Sequence, residues 1–73
     1  LAPSGLTFRP DRINISSSGK ISLIDYKTGR PKKRDREQIL TYSNLFKEMG
    51  YKRIENFLIY INNDLQIIKF TDD

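Results

Sequence analysis

The chain has 73 residues and a formal net charge of +4, and it contains neither cysteine nor histidine. This length allows one domain rather than two, and the composition excludes disulfide bonds, thiolate or imidazole zinc sites and catalysis by a Ser-His or Cys-His pair. The longest apolar run, Phe57 to Ile61, is far too short to cross a membrane, so we expect a cytoplasmic protein with no membrane partner and no secretory signal.

The first two predicted elements are strands that form a hairpin. Alternation of side-chain type predicts a strand from Thr7 to Ile15, with an edge position or a bulge at Pro10, which has no amide hydrogen to donate. A second strand is predicted from Lys20 to Lys27, after a turn-forming Ser-Ser-Ser-Gly cluster. Alternation along the first strand places two sets of side chains on opposite faces: Arg9, Asp11, Ile13 and Ile15 on one, and Phe8, Arg12 and Asn14 on the other.

The length of the hairpin loop decides which residues face each other. A three-residue loop, Ser17 to Gly19, would end with glycine in the left-handed conformation and place Asp11 opposite Asp25. A two-residue loop would shift the register by one and place Asp11 opposite Ile24.

In the first register, two carboxylates face each other on one side of the sheet. Asp11 and Asp25 would repel unless a cation lay near them, and Lys27 follows one pleat further along the same face. Two close carboxylates with a lysine can bind a divalent cation such as Mg²⁺, with the lysine orienting or activating a water. The alternative is a pair of surface acids neutralised by Arg9, Arg12 and Lys27.

The net positive charge is local. The stretch from Arg30 to Arg36 reads RPKKRDR and holds five basic residues and one aspartate, whereas the rest of the chain holds eight residues of each sign. A positive patch of this kind suits a polyanion. The alternatives are a solvated loop or, for the PKKR letters, a nuclear-localisation signal.

A helix is predicted to follow the basic run, from about Asp35 to Met49. Asp35 would be its N-cap, with Gln38 as the partner in a capping box, and Gly50 would end it in a left-handed conformation. An apolar stripe recurs at helical spacing, formed by Ile39, Tyr42, Phe46 and Met49.

Two further strands complete the order ββαββ. The strand from Arg53 to Ile61 contains the apolar run FLIYI, which favours a central strand beside the helix, buried on both faces. The strand from Leu65 to Phe70 is its predicted hairpin partner. We therefore expect an α/β or α+β fold with one main helix on a mixed sheet.

Three motifs in this order resemble those of the PD-(D/E)XK nuclease superfamily: an aspartate in RPDR, then Asp-x-Lys in DYKTG, then Gln-x-x-x-Tyr on the helix. The resemblance spans about residues 9–62 and is greatest to the RecB-type nuclease domain at the C-terminus of UvrD/RecB-like and AddA-like helicase-nucleases. It implies a restriction-endonuclease-like core, which this chain would contain in truncated form.

The resemblance also implies roles for individual residues. Asp11 and Asp25 would bind Mg²⁺ or Mn²⁺, together with the backbone carbonyl of Tyr26. Lys27 would position or help deprotonate the water that attacks a DNA phosphodiester.

Gln38 and Tyr42 would lie on one face of the helix and point towards the metal or the DNA strand. An alternative exists for each: Gln38 serves only the capping box, and Tyr42 belongs only to the core. The basic run lies between the Asp-x-Lys strand and this helix, so its cations would contact the DNA backbone without reading sequence; they are Arg30, Lys32, Lys33, Arg34 and Arg36.

We expect residues 1–73 to be a single partial domain, the C-terminal part of the nuclease domain of an ATP-dependent helicase-nuclease acting in DNA repair or recombination. Its partners would be DNA and the helicase motor domains of the same protein. Exodeoxyribonuclease activity of the chain alone is expected to be weak or absent, and its exposed sheet edges would favour self-association. The alternatives are a non-catalytic DNA-binding or docking module and a small structural protein with a basic loop.

Overall fold

A computed structural model describes residues 8–62 and 64–71. Four strands and one helix follow in the order β1 (Arg12–Ile15), β2 (Ile21–Thr28), α1 (Lys33–Glu48), β3 (Ile54–Ile61) and β4 (Leu65–Thr71). The strands lie side by side in sequence order; β2 and β3 are parallel, and each outer strand is antiparallel to its neighbour. The helix connects the parallel pair and packs on β2 and β3, which confirms the α+β class and the order ββαββ.

The first hairpin has the three-residue loop. Ser16 donates its amide hydrogen to the Lys20 carbonyl at 2.9 Å, and Gly19 has a φ of +85°. An added Cβ at Gly19 would meet no atom within 4 Å, so glycine is favoured here by backbone conformation rather than by lack of space. Ile13 lies opposite Leu23, as this register requires.

The first strand is shorter than predicted. It begins at Arg12, after a buried Pro10, whereas the predicted start at Thr7 lies outside the described residues. Phe8 therefore does not follow the alternation of a strand: its ring contacts that of Tyr42 on the helix side of the sheet, with 6.5 Å between centroids. The prediction that placed Phe8 on the face opposite Ile13 is wrong, because the irregular backbone around Pro10 interrupts the two-residue period.

The helix begins two residues earlier than predicted. Lys32 is its N-cap and Asp35 is its third residue, where the carboxylate accepts a hydrogen bond from the Lys32 amide at 3.3 Å. The predictions of Asp35 as N-cap and of Gln38 as its capping-box partner are therefore wrong. Lysine and arginine are good helix formers, so the basic run continues into the first turn, and the aspartate reaches back to satisfy an amide there.

The predicted end of the helix at Gly50 is confirmed. Gly50 has a φ of +103° and donates to the Lys47 carbonyl, and Tyr51 donates to the Phe46 carbonyl, which is the Schellman arrangement. The rings of Phe46 and Tyr51 pack together at 5.8 Å. Met49 was wrongly predicted in the apolar stripe; it is 68% exposed because the chain turns away there.

The core lies between the helix and one face of the sheet. Its buried apolar residues are Ile21, Leu23, Ile39, Tyr42, Ile54, Leu58 and Tyr60. The opposite face of β3, with Phe57 and Ile59, is only half-buried, so the prediction of burial on both faces is wrong. None of the described elements packs on that face.

β1 and β4 are the edge strands of the sheet, and self-association through them stays a prediction.

Asn56 is a polar residue within the core. It lies on the helix side of β3 and is fully buried, and neither side-chain oxygen nor nitrogen has a hydrogen-bond partner among the described residues. A buried amide without partners destabilises a fold by about 1–3 kcal/mol.

We predict that Asn56→Val raises the free energy of unfolding by about 1–3 kcal/mol, because valine suits a buried strand position and needs no partner. Urea denaturation of the 73-residue chain measures this change. Asn56→Asp is the control that should destabilise, since it adds an unpaired charge at the same place. An Asn56→Val variant no more stable than the parent would show that the amide is satisfied.

A cluster of three charged side chains lies on the other face of the sheet. The Glu55 carboxylate lies 3.0 Å from the Lys20 ammonium and 3.3 Å from that of Lys69. Lys20 lowers the pKa of Glu55 most, Lys69 lowers it further, and partial burial opposes both, so that the pKa lies below its ordinary value of 4.5.

A carboxyl group whose pKa is lower in the folded state than in the unfolded state stabilises the fold when the pH lies above its unfolded-state pKa. This stabilisation is lost as the pH falls through the folded-state pKa. We therefore predict that Glu55→Gln lowers the melting temperature at pH 7, and that its difference from the parent shrinks as the pH falls below 4.5. Thermal melts between pH 7 and pH 3 measure this. Glu37→Gln, which removes a carboxylate from the exposed helix surface, should show a smaller effect; equal effects would contradict the prediction.

Candidate active site

The candidate residues gather near the carboxyl ends of the parallel strands. Asp25 and Lys27 lie late in β2 on the face that the helix covers, and Asp11 immediately precedes β1. The first turns of α1 lie close to the same place, because the chain leaves β2 and enters the helix after four residues. Such edges of parallel strands are common places for ligand sites.

The two predicted carboxylates meet through reciprocal backbone contacts. The Asp11 amide donates to Asp25 Oδ1 at 3.3 Å, and the Tyr26 amide donates to Asp11 Oδ2 at 2.9 Å. Each carboxylate is therefore held by a backbone amide at or next to the other aspartate, and Asp11 lies beside Asp25 as the three-residue hairpin loop predicts. Asp11 is exposed, whereas Asp25 is 4% exposed.

Asp25 has an environment that opposes its charge. Burial raises its pKa, Lys27 lowers it, and neighbouring Asp11 raises it, with a net upward shift. Lys27 Nζ lies 3.0 Å from Asp25 Oδ2, so this buried oxygen is paired with the ammonium.

The Lys27 ammonium lies among three side-chain oxygens. It is 3.0 Å from Asp25 Oδ2, donates to Gln38 Oε1 at 3.2 Å and lies 4.0 Å from Asp35 Oδ1. The Phe8 ring lies on another side, 5.1 Å from Nζ to the centroid, within the range of a cation–π interaction. The lysine side chain is 22% exposed, so its direction is set by these neighbours more than by solvent.

The structure separates the two helix residues of the Gln-x-x-x-Tyr motif. Gln38 contacts the Lys27 ammonium, as expected of a site residue. Tyr42 is buried in the core, where its ring packs against those of Phe8 and Phe46 at 6.5 and 6.0 Å. A catalytic role for Tyr42 stays a prediction.

Sequence reasoning missed two residues beside the site. The Asp35 carboxylate accepts a hydrogen bond from the Tyr60 hydroxyl at 2.9 Å, and both side chains are buried. Burial, with the Asp35 carboxylate as the next cause, raises the pKa of Tyr60 to about 12. Tyr60 is the neighbour of Lys27 across the parallel pair, so the two-residue period of β3 was the signal that could have found it.

The basic run is divided between a loop and the helix. Arg30 and Lys32 precede α1, whereas Lys33 is its first residue, so the alternative of a solvated loop describes only the start of the run. The Asn62 side chain donates to the Gly29 carbonyl at 2.9 Å, which fixes the start of the run. Part of the run borders a cavity of about 330 Å³, lined by Pro31, Lys32, Lys33, Arg36, Leu58, Tyr60 and Ile68.

Only a small donor set is available for a metal ion. Within residues 8–62 and 64–71 no group of three or more His, Cys, Asp or Glu side chains is placed to hold one. The pair of Asp11 and Asp25 nevertheless fits a hard cation, because Mg²⁺ binds through one or two carboxylates and retains several waters. The Asp11 carboxylate is exposed beside the buried Asp25, so an ion from solvent can reach it.

Comparison with known proteins identifies the family. The model of the PD-(D/E)XK nuclease superfamily matches residues 4–71, which is nearly the whole chain. The chain belongs to this superfamily. The two carboxylates and the lysine therefore lie in a nuclease-type fold. Neither the curated proteins nor the solved structures gave a match.

In the part of the chain that the structure describes, no helix has the length and apolar character to span a membrane.

Proposed function

We propose that the chain carries a metal-dependent deoxyribonuclease site, in which water attacks a DNA phosphodiester. The observation that carries this proposal is the paired carboxylates of Asp11 and Asp25 with the Lys27 ammonium 3.0 Å from Asp25, in a chain of the PD-(D/E)XK superfamily. Neighbouring carboxylates beside a lysine, one of them buried with a raised pKa, are typical of functional sites.

Asp11 and Asp25 would hold Mg²⁺ or Mn²⁺, together with the backbone carbonyl of Tyr26. When bound, such an ion stabilises charge on the phosphate and lowers the pKa of a coordinated water. Asp25 would supply a carboxylate oxygen from the buried side of the site, beside the Lys27 ammonium. The hydrogen bond from the Tyr26 amide to Asp11 keeps the exposed carboxylate directed towards the same place.

Lys27 would position the attacking water or donate to the phosphate as negative charge develops there. Its contacts with Asp25 and Gln38 keep the ammonium beside the carboxylates. The Phe8 ring limits access of bulk water to the ammonium, so the charge acts in a medium of reduced dielectric constant. Gln38 would act by orienting Lys27.

The basic run would hold the DNA backbone beside the site. Arg30, Lys33 and Arg34 are exposed, so their cations can reach phosphates. Contacts of this kind give affinity that falls with salt concentration and carry no sequence preference.

The finer proposal is an exodeoxyribonuclease that belongs to an ATP-dependent helicase-nuclease of DNA repair or recombination. Its support is the RecB-type resemblance of RPDR, DYKTG and Gln38-x-x-x-Tyr42, over about residues 9–62. Residues 1–73 would then be part of a larger nuclease domain, with motor domains as partners. A non-catalytic DNA-binding module is the second candidate, and the donor set of only two carboxylates among the described residues favours it.

We predict that Mn²⁺ broadens the NMR resonances of Asp11, Asp25 and Tyr26 first, because the ion's paramagnetic effect falls steeply with distance. The measurement is a Mn²⁺ titration of the ¹⁵N-labelled chain. In Asp25→Asn this localised broadening should be lost, whereas Glu37→Gln should retain it. Broadening spread evenly along the chain of the parent protein would contradict a metal site.

We predict that Lys27→Met lowers Mn²⁺-dependent cleavage of linear DNA by about 10²–10⁴-fold, the usual contribution of a group that moves or positions a proton. Rates are measured from the release of labelled nucleotide at high enzyme concentration. Lys52→Met, which removes an exposed cation after the helix, should leave the rate unchanged. Cleavage retained in Lys27→Met would refute the role of Lys27. DNA binding with neither cleavage nor localised Mn²⁺ broadening in the parent would favour the non-catalytic module.

A further inference from the structure

The Asp35 carboxylate is more buried than its place at the helix start requires. A carboxylate on the first turn can satisfy a backbone amide while it stays in solvent, and such contacts at helix starts are usually exposed. Asp35 is 7% exposed and accepts hydrogen bonds from both the Lys32 amide and the Tyr60 hydroxyl. Burial of a charged group costs free energy unless it is paired, so a second role for this carboxylate is indicated.

The two oxygens of Asp35 have different partners. Oδ2 accepts both hydrogen bonds, from Lys32 at 3.3 Å and from Tyr60 at 2.9 Å. Oδ1 faces the Lys27 ammonium at 4.0 Å. Tyr60 is 1% exposed, and its hydroxyl stays protonated well above neutral pH, so it donates to Asp35 throughout the physiological range. Tyr60 thereby fixes the orientation of the carboxylate whose other oxygen faces the lysine.

A lysine needs several contacts to be held in one place, because its four-carbon side chain has many rotamers. Asp25 contacts the Lys27 ammonium from its own strand, and Gln38 contacts it from the second turn of the helix. Asp35, three residues before Gln38, faces the ammonium from the first turn. The Lys27 ammonium thus lies between Asp25 of its own strand and two successive turns of α1.

We propose that Asp35, oriented by Tyr60, is a positioning residue that holds the Lys27 ammonium in its direction beside Asp25. This inference rests on the proposed function, since Lys27 is the group whose placement it explains. In this role Asp35 acts through the lysine rather than on the substrate or the metal. A solely structural role as the acceptor for the Lys32 amide is the alternative.

The test compares Tyr60→Phe, Asp35→Asn and the control Glu37→Gln, which changes an exposed acid on the same helix. The first readout is ¹³C relaxation of the lysine Cε groups in the 73-residue chain, with the Lys27 signal assigned by its loss in Lys27→Met. We expect the Lys27 Cε order parameter to fall in Tyr60→Phe and Asp35→Asn and to stay unchanged in Glu37→Gln. A merely structural role at the helix start would leave this order parameter as in the parent.

The second readout is Mn²⁺-dependent DNA cleavage, resolved into kcat and KM. We expect kcat to fall about 10- to 100-fold in Tyr60→Phe and Asp35→Asn with KM unchanged, because misplacement of a catalytic group affects the transition state more than DNA binding. Localised Mn²⁺ broadening at Asp11 and Asp25 should persist. Retained kcat with an unchanged Lys27 order parameter would overturn the inference.

The two readouts separate this inference from the proposed function. If Mn²⁺ causes no localised broadening at Asp11 and Asp25 in the parent chain, the proposal of a metal-dependent site fails, while the Lys27 order parameter still decides whether Asp35 and Tyr60 hold the lysine. If Asp35→Asn does not fold, Tyr60→Phe, which removes a single hydroxyl, decides the question alone. An order parameter that falls equally in Glu37→Gln would also overturn the inference, since it would reflect general loosening of the helix.

Discussion

The buried charge of Asp25 is the constraint on which the rest of the site depends. A carboxylate that is almost fully enclosed beside the core requires compensation, and its surroundings supply it from two sides. The Asp11 amide binds one oxygen, and the Lys27 ammonium lies beside the other. Removal of either neighbour would leave the carboxylate poorly compensated. The loop before β1 and the Lys27 side chain therefore both stabilise this end of β2.

The topology gives the lysine its other neighbours. The parallel arrangement of β2 and β3 requires a crossover, and α1 provides it, so that its first two turns lie over the end of β2. Gln38 and Asp35 contact or face Lys27 from these turns. Tyr60 reaches Asp35 from β3. The α+β fold thus brings together Lys27 and Tyr60, which lie 33 residues apart in the chain.

The sequence predicted the class, the element order and the pairing of Asp11 with Asp25, because these depend on local rules. Gly19 sets the hairpin loop, and the loop sets the register. The position of Phe8 was predicted wrongly because alternation fails where Pro10 interrupts the strand.

The partners of Asp35 could not be predicted for a different reason. Periodicity gives the face on which a side chain lies, but it does not give the angle at which a helix crosses the sheet. That angle decides whether the carboxylate meets solvent or the hydroxyl of Tyr60. Burial on the second face of β3 was predicted from an apolar run, yet a run of this kind does not show whether any segment covers it.

The hydrogen bond from Asn62 to Gly29 has a consequence for nucleic-acid affinity. It joins the ends of β2 and β3, and Lys33 is already fixed in the helix, so only a three-residue tether separates two anchored points. A short anchored tether has few conformations to lose when a ligand orders it. The backbone that carries Arg30 and Lys32 is therefore preorganised, and an anionic ligand bound there would meet a lower entropic penalty than on a free basic tail of the same composition.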